Sequence, residues 1–191
     1  IDQSAFRDLA DAMEAGREGE VNGLIQEMNN AIARHLNLRR WWSQDPDFQL
    51  RVTTREHELA FTIRDRTGTD YSFSERSRGL RYFLSYYVQL RAHKRPEKVT
   101  EILVMDEPDA YLSSAGQQDL LRILEHYARP DDAGRQDQVV YVTHSPFLLN
   151  RNAGHRIRVV DKGRNEEGTR VVRDATRNHY EPLRSTLGPS V

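Results

Sequence analysis

The 191-residue sequence contains no cysteine, which excludes disulfide bonds and thiolate metal sites. No run approaches the about 18 apolar residues of a membrane-spanning helix, so we expect no association with a membrane. The 28 basic and 29 acidic side chains nearly cancel, and a net charge of −1 gives no overall attraction to nucleic acid. These absences fit a cytoplasmic protein whose function depends on local motifs.

Two adjacent carboxylates follow a short apolar run. The run Ile102–Met105 leads into Asp106, Glu107 and Pro108. Such a run predicts a buried parallel strand, and open α/β sheets place their chemistry at the carboxyl end of such strands. Asp106 could hold Mg²⁺ there, directly or through water, while Glu107 polarises an attacking water molecule. The same pattern is also typical of a strand that ends in a solvated turn.

A second apolar run also ends in polar residues. The β-branched run Val139–Val142 is followed closely by His144. Between the two runs, five residues fall on one face at helical spacing: Gln117, Leu120, Leu121, Leu124 and Ala128. Strand, helix and strand of these lengths predict a βαβ unit with parallel strands, so Asp106, Glu107 and His144 should emerge at one edge of the sheet. A structural histidine is the alternative.

A third motif opens a helix upstream. Ser77 and Gly79 stand among Arg76 and Arg78, at the start of a segment with one apolar face. That face consists of Leu80, Phe83, Leu84, Tyr87 and Val88. A hydroxyl, a glycine, arginines and the positive end of a helix together predict an anion site. An ordinary capped helix with a basic first turn is the alternative.

In this order and spacing the motifs resemble the C-terminal half of an ATP-binding-cassette (ABC) ATPase head. Ser77–Gly79 is similar to the signature motif, Ile102–Glu107 to Walker B, Leu112–Gly116 to the D-loop and His144 to the switch histidine. The likeness extends over residues 50–160. It is closest to the soluble OLD-family and RecF-like ATPases, in which Ser-x-Arg-Ser-x-Gly replaces the signature of the transporters.

The resemblance implies that ATP and Mg²⁺ are the cofactors and that each site residue has a defined role. Asp106 would support Mg²⁺, and Glu107 would be the catalytic base. His144 would contact the γ-phosphate. Chemistry of this kind consists mostly of positioning and of electrostatic stabilisation of the transferred phosphoryl group.

The resemblance also implies a homodimer formed through the heads. Ser77 and Gly79 would close over the γ-phosphate bound to a second subunit, and Ser113 would lie in the loop that crosses the dimer interface. Arg76 and Arg78 stand where the transporter motif has apolar or small residues. They could contact the nucleotide, the partner subunit or the solvent. Arg76 is counted among the predicted nucleotide-binding residues.

The sequence departs from the family because its phosphate-binding loop is missing. No Gly-x-x-x-x-Gly-Lys-Ser/Thr segment occurs, and the glycines at 16 and 19 have neither the spacing nor the ending of that loop. We therefore expect the chain to be part of a larger assembly in which the Walker A half is supplied in cis or in trans. We also expect the isolated chain to bind nucleotide weakly or not at all.

The predicted fold class is α/β, a partial P-loop NTPase head of ABC type with a parallel sheet at its core. Residues 1–42 are predicted to be helical, and by resemblance they would be the returning part of a coiled-coil or dimerisation insertion. Residues 43–173 would form the C-terminal lobe of the head, with a hairpin at 58–73. Residues 174–191 would form a tail or a linker to a further domain.

Two details of the predicted architecture bear on packing. The first helical stripe consists of Phe6, Leu9, Ala10 and Met13. Trp41 and Trp42 should pack in the core, with an exposed partner-binding pair as the alternative. The chain is expected to close with a second β-hairpin, formed by 156–160 and 169–172.

By resemblance, the function would be ATP hydrolysis that drives DNA transactions, with an OLD-type endonuclease in anti-phage defence as the setting. Nuclease activity would require a TOPRIM domain, whose acidic clusters do not occur in these residues. A RecF-like or SMC-like DNA repair ATPase is one alternative, and a non-hydrolysing dimerisation or DNA-tethering module is another. A transporter subunit is disfavoured by the arginine-containing signature.

Overall fold

The computed structural model describes residues 3–55, 58–94, 99–130, 134, 136–162 and 168–172. The chain separates into two compact units, which are considered separately below. Unit 1 comprises Ile1–Pro96 and Tyr111–Asp119, and unit 2 comprises Glu97–Ala110 and Leu120–Val191. Both units combine helices with strands, so the predicted α/β class is confirmed.

Unit 1 begins with three helices, which are α1 (Gln3–Glu14), α2 (Glu18–Leu36) and α3 (Leu38–Trp41). The break between α1 and α2 includes Gly16, whose φ of 65° is a left-handed conformation that favours glycine. Asn37, with a φ of 45°, ends α2 in the same region, which asparagine tolerates better than most residues. The predicted helical character of this part of the chain is confirmed.

The apolar stripe predicted for α1 is wrong in part. Leu9 and Ala12 are buried, whereas Phe6 is 43% exposed and Ala10 is exposed. α1 contacts α2, and the buried positions three residues apart form one narrow line along the helix.

The sheet of unit 1 has three antiparallel strands in the order β1 (Gln49–Arg55), β2 (Glu58–Arg64) and β3 (Asp70–Ser72). β2 and β3 form the predicted hairpin, whereas β1 was not predicted. Asn29 of α2 fixes β1 with two buried hydrogen bonds. Its side chain donates to the carbonyl oxygen of Val52 at 2.9 Å and accepts from the Val52 N–H at 2.7 Å.

Helix α4 (Arg78–Ala92) carries the core of unit 1. Four of its five predicted apolar positions are buried, namely Leu80, Phe83, Leu84 and Tyr87. Trp42 is 7% exposed and its ring lies 4.6 Å from that of Phe83, so the predicted core packing is confirmed for this tryptophan. The Tyr87 hydroxyl donates to the carbonyl oxygen of Leu36 at the end of α2.

Unit 2 contains the predicted parallel pair. Strands β4 (Ile102–Asp106) and β5 (Gln138–Val142) are parallel, and helix α5 (Ser114–Tyr127) lies between them in sequence. α5 begins in unit 1 and continues into unit 2, where it buries Leu120, Ile123, Leu124 and Tyr127. Strands β6 (Val159–Lys162) and β7 (Thr169–Val172) form the predicted antiparallel hairpin, but the first strand lies at 159–162 and not at 156–160.

The two faces of the β4–β5 sheet differ in exposure. Met105 on one face is buried, with Leu103, Val139 and Tyr141 partly buried beside it. Successive side chains of a strand point to opposite faces, and the alternate positions are open to solvent. They are Ile102 (61% exposed), Val104 (72%), Val140 (52%) and Val142 (54%). The predicted burial of β4 is therefore wrong for one of its two faces.

Two remaining expectations concern the ends of the chain and the membrane. Residues 174–191, the predicted tail, lie outside the described residues, and the boundary at 42 stays a prediction. Among the described residues, no helix has both the length and the apolar character needed to cross a bilayer.

Candidate functional site

The carboxyl ends of β4 and β5 bring three of the predicted site residues together. In the parallel register Asp106 lies opposite Val142, and the Glu107 N–H donates to the Val142 carbonyl oxygen at 2.9 Å. This bond continues the ladder one residue beyond β4. His144 follows β5 by two residues, so Asp106, Glu107 and His144 share one edge of the sheet, as the spacing predicted.

The Glu107 and His144 side chains approach each other at this edge. Nε2 of His144 lies 3.4 Å from Oε1 of Glu107, and the side chains are 74% and 57% exposed, respectively. An exposed ion pair of this kind contributes about 0–1 kcal/mol to stability, even when the histidine is protonated. The pair is therefore accessible to a ligand and adds little to the fold.

The backbone at Glu107 is strained. Its φ is 42°, in the left-handed region that costs a non-glycine residue about 1–3 kcal/mol. The Ala110 N–H donates to the Glu107 carbonyl oxygen at 3.1 Å, which closes the turn after the strand. Strain of this kind concentrates at functional sites, and here it sets the direction in which the Glu107 carboxylate leaves the sheet.

A hydrogen-bond network supports the segment that carries His144. The Thr143 hydroxyl donates to Oδ1 of Asp109 at 2.6 Å and accepts from the Ser145 N–H at 2.9 Å. The Ser145 hydroxyl in turn accepts from the Phe147 N–H at 3.3 Å. Sequence analysis missed the supporting roles of Thr143 and Asp109, although Thr143 directly precedes His144 and Asp109 follows Glu107 by two residues.

The carboxylates at this edge have the chemistry of a magnesium site that is completed by phosphate. Asp106 is exposed at the end of β4, next to Glu107. Mg²⁺ is usually held by one or two carboxylates together with the phosphates of a substrate. Within the described ranges no group of three or more His, Asp or Glu side chains is placed to hold a metal ion without a ligand. Asp106 and Glu107 therefore have the oxygen donors that a magnesium site of this kind uses.

In unit 1, the predicted signature residues lie at the start of α4. The Ser77 hydroxyl accepts from the Leu80 N–H at 3.3 Å and so caps the helix. Gly79 is required by packing, because a Cβ atom at this position would lie 2.5 Å from the carbonyl oxygen of Tyr111. The first turn of α4 thus packs directly against the backbone that leads into the predicted D-loop.

Ser113 stabilises the start of α5. Its hydroxyl donates to Oε1 of Gln44 at 3.1 Å and accepts from the Gly116 N–H at 3.2 Å. These contacts give Ser113 a structural role within unit 1. Its predicted contact across a dimer interface stays a prediction.

Arg76 and Arg78 have different surroundings. Arg76 donates to Oδ2 of Asp65 at 3.0 Å and its guanidinium lies 4.8 Å from the Tyr71 ring centroid. Hydrogen bonds from Thr67, and to a smaller extent from Arg76, lower the pKa of the Asp65 carboxyl group. Arg76 is therefore held within unit 1, and its contact with nucleotide stays a prediction. Arg78 is exposed, 5.6 Å from the Tyr111 ring centroid.

A parallel β-α-β arrangement with two acids and a histidine at its carboxyl edge is the arrangement that the resemblance to an ABC head predicted. Residues 11–150 match the family described as "AAA domain, putative AbiEii toxin, Type IV TA system". The chain belongs to this AAA-domain family. No curated protein shows significant sequence similarity to it.

Solved structures of SMC ATPase heads are similar to this chain. One, described as "Structural biochemistry of ATP-driven dimerization and DNA stimulated activation of SMC ATPases", has a TM-score of 0.50 at 11% identity and covers 78% of this chain and 87% of its own. An Smc head domain with a coiled coil and joint from Pyrococcus yayanosii has a TM-score of 0.47 at 17% identity, covering 83% of this chain but 31% of its own. The first likeness shows the fold, and the predicted ABC-type ATPase fold is thereby confirmed.

Proposed function

We propose that this ATPase domain hydrolyses ATP, dimerises around the nucleotide and uses the cycle in DNA transactions. The observation that carries the proposal is the approach of Glu107 and His144 to 3.4 Å, beside Asp106, at the carboxyl edge of a parallel sheet. Family membership and the fold of an SMC head support the same class of protein. An OLD-type endonuclease in anti-phage defence is the setting we propose, on the strength of the signature-like residues.

Each of the three edge residues would have a different role in hydrolysis. Asp106 would hold Mg²⁺, whose charge offsets the negative charge of the phosphates. Glu107 would accept a proton from the attacking water, and its exposed carboxylate leaves room for that water. His144 would donate a hydrogen bond to the γ-phosphate. Its 3.4 Å approach to Glu107 would then link the presence of that phosphate to the position of the base.

Dimerisation would complete the site with residues of a second copy. Ser77 and Gly79 lie at the start of α4, where free backbone N–H groups favour an anion. In the proposed dimer they would face the γ-phosphate held by the partner, and Ser113 would lie at the interface. The solved SMC structure at TM-score 0.50 is described as dimerising in response to ATP and as being stimulated by DNA, which supports this arrangement for a protein of the same fold.

The exposed sheet face suggests where the missing phosphate loop belongs. Parallel sheets are normally covered on both faces, and a sheet of two strands is too small to be stable alone. The open face is apolar, with Val104 and Val142 more than half exposed, and it leads to Asp106. We assign this face to the segment that carries the Walker A loop, in cis or in trans. Phosphates bound by that loop would then lie near Asp106 and Glu107.

Replacing the proposed base tests the function. In the complete ATPase, Glu107→Gln should lower the turnover of ATP by about 10²–10⁴-fold, because an amide cannot accept the proton. ATP binding should survive, so the variant should accumulate as an ATP-bound dimer, measured by phosphate release and by size-exclusion chromatography with light scattering. Glu58→Gln, an exposed change on β2, is the matched control and should leave both readouts unchanged.

The same pair of variants separates the alternatives. Unchanged turnover in Glu107→Gln would remove Glu107 as the base. Loss of turnover in both variants would indicate a general effect of removing charge. A parent protein that dimerises on ATP without turnover would instead be the non-hydrolysing module. An SMC-like or RecF-like repair ATPase, which the SMC fold favours, would show the Glu107→Gln effect without any cleavage of DNA.

A further inference from the structure

A patch of tyrosine and arginine side chains lies beside the first half of α4 in unit 1. These side chains line an open depression of about 320 Å³ and belong to Arg78, Arg81, Tyr82, Ser85 and Tyr111. We call this set the Tyr–Arg patch. The Tyr82 and Tyr111 rings lie 4.9 Å apart between centroids and are 39% and 58% exposed. None of the five lining residues is acidic, so the patch is positive and aromatic.

The two arginines of the patch are available to a ligand. Neither Arg78 nor Arg81 forms an ion pair with a carboxylate of the described residues, and both are exposed. The contrast with Arg76, two residues before Arg78, is informative, because Asp65 and Tyr71 hold that side chain. A guanidinium without a carboxylate binds phosphate well, since its donors match two phosphate oxygens.

The backbone conformation at Tyr111 is unfavourable for a tyrosine. Its φ is 66°, a left-handed conformation in which glycine or asparagine is less strained, yet its ring is 58% exposed. The Tyr111 backbone is held in place because its carbonyl oxygen packs against Gly79. A strained and fixed backbone that presents an aromatic ring to solvent is typical of a binding site.

We propose that the Tyr–Arg patch binds an unpaired nucleotide. The base would stack on Tyr111 and Tyr82, and the phosphate would contact Arg78 and Arg81. An aromatic ring beside a positive charge binds any exposed base in this way, whereas the bases of a duplex are already stacked on each other. We assign the nucleotide to a single strand, because the isolated chain is expected to bind free nucleotide weakly or not at all. Arg78 stands between Ser77 and Gly79, which the proposed dimer places at the γ-phosphate, whereas Arg81, Tyr82 and Tyr111 have no part in the proposed hydrolysis.

Binding can be measured without ATP turnover. Fluorescence anisotropy would be recorded for the whole chain with labelled oligothymidylate, with the same strand in a duplex, and with a labelled ATP analogue, all without Mg²⁺. Binding of the single strand, lost on mutation of the patch, would support the proposal. Binding of the duplex alone, of the free nucleotide alone, or of none of the three probes would overturn it.

Changes at the two tyrosines separate binding from folding. Tyr111→Asn should weaken binding about tenfold, the loss expected when one stacked base is removed, while the melting temperature rises because asparagine tolerates the left-handed backbone. Tyr82→Leu should weaken binding to a similar extent. Phe61→Leu, which alters a 53% exposed ring on β2, is the matched control and should bind as the parent does. Equal affinity of all variants would overturn the proposal.

The contribution of the arginines is tested by the salt dependence of binding. Arg81→Gln should reduce the slope of log K against log salt for the single strand by about 0.7, because one phosphate contact is lost. Arg17→Gln, directly before α2, is the matched control. Arg17 pairs with Glu20 at 2.7 Å, and its replacement should leave the slope unchanged. A slope that both changes reduce equally would reflect net charge alone and would overturn the assignment of Arg81.

Discussion

The cores of the two units differ in how completely they are covered. In unit 1, Trp42, Phe83 and Tyr87 are 7%, 0% and 1% exposed, and they pack on one another. In unit 2, the β4–β5 sheet is covered on one face, while Val104 on the other face is 72% exposed. The comparison indicates that the residues of unit 1 bury its aromatic core. Unit 2, which carries the proposed catalytic edge, has an apolar sheet face that none of its described residues covers, and this is the face we assign to the Walker A segment.

The largest expected difference between the units comes from removing apolar side chains. Phe83→Ala should lower the free energy of unfolding by about 3–5 kcal/mol, because it leaves a cavity among the rings of unit 1. Val104→Thr should change it by less than about 0.5 kcal/mol in this chain, because the side chain is in solvent. Urea titration measures both changes. Tryptophan fluorescence reports on unit 1, since Trp41 and Trp42 are the two tryptophans of the sequence.

The comparison between the units would fail if Val104→Thr lowered the free energy of unfolding as much as Phe83→Ala does. Such a result would mean that the open face is covered in solution, for example by a second copy of the chain. With the Walker A half bound, Val104→Thr should instead become destabilising, because the hydroxyl would then be buried without a partner.

A smaller effect is expected at the glycine that joins α4 to Tyr111. Gly79→Ala should destabilise unit 1 by about 1–3 kcal/mol, because the new Cβ would lie 2.5 Å from the Tyr111 carbonyl oxygen and the backbone would have to move. Gly23→Ala is a matched control inside α2, where a Cβ would meet nothing within 4 Å. That change should stabilise by about 0.5–1 kcal/mol through helix propensity.

If Gly79→Ala lowers the free energy of unfolding and Gly23→Ala raises it, the start of α4 is packed so closely in unit 1 that it has no room for a Cβ atom. If Gly79→Ala also stabilised the chain, the close approach between Gly79 and Tyr111 would not exist in solution. The Tyr–Arg patch would then lack the fixed backbone on which its proposed function depends.

The sequence predicted the elements whose pattern is strong and local. The parallel strands, the hairpin at 58–73 and the buried face of α4 were predicted because apolar residues recur there with the period of a strand or a helix. β1 was missed because Arg51, Thr53 and Thr54 interrupt its apolar positions, and its burial depends on Asn29, 23 residues away. Contacts so distant in sequence leave no local periodicity.

The candidate site was predictable in composition but not in detail. Asp106, Glu107 and His144 could be placed at one edge because parallel strands fix where their carboxyl ends lie. The left-handed backbone of Glu107 and the binding of Thr143 to Asp109 could not be predicted, because each depends on the exact path of the chain after the strand. The exposed face of β4 could not be predicted either, because an apolar strand has the same sequence whether or not its cover is present.

The smallest expected effect compares one tyrosine from each unit. Burial is the main cause that raises the pKa of Tyr87 in unit 1 and of Tyr141 in unit 2 to about 12, from a usual value of 10.0. The neutral phenol is therefore favoured by folding. Its contribution is fully present below pH 10, the unfolded pKa, and is lost as the pH rises through the folded pKa near 12.

Replacing each tyrosine by phenylalanine tests both the hydrogen bond and the titration. Tyr141→Phe removes the donation to the Leu148 carbonyl oxygen at 2.7 Å, and Tyr87→Phe removes the donation to Leu36, so each should cost about 1 kcal/mol at neutral pH. The parent's advantage should shrink above pH 10 in urea titrations followed by circular dichroism. If the units unfold separately, Tyr87→Phe should shift the tryptophan transition and Tyr141→Phe should not. A shift of that transition by both changes would show that the two cores, although unequally covered, unfold as one.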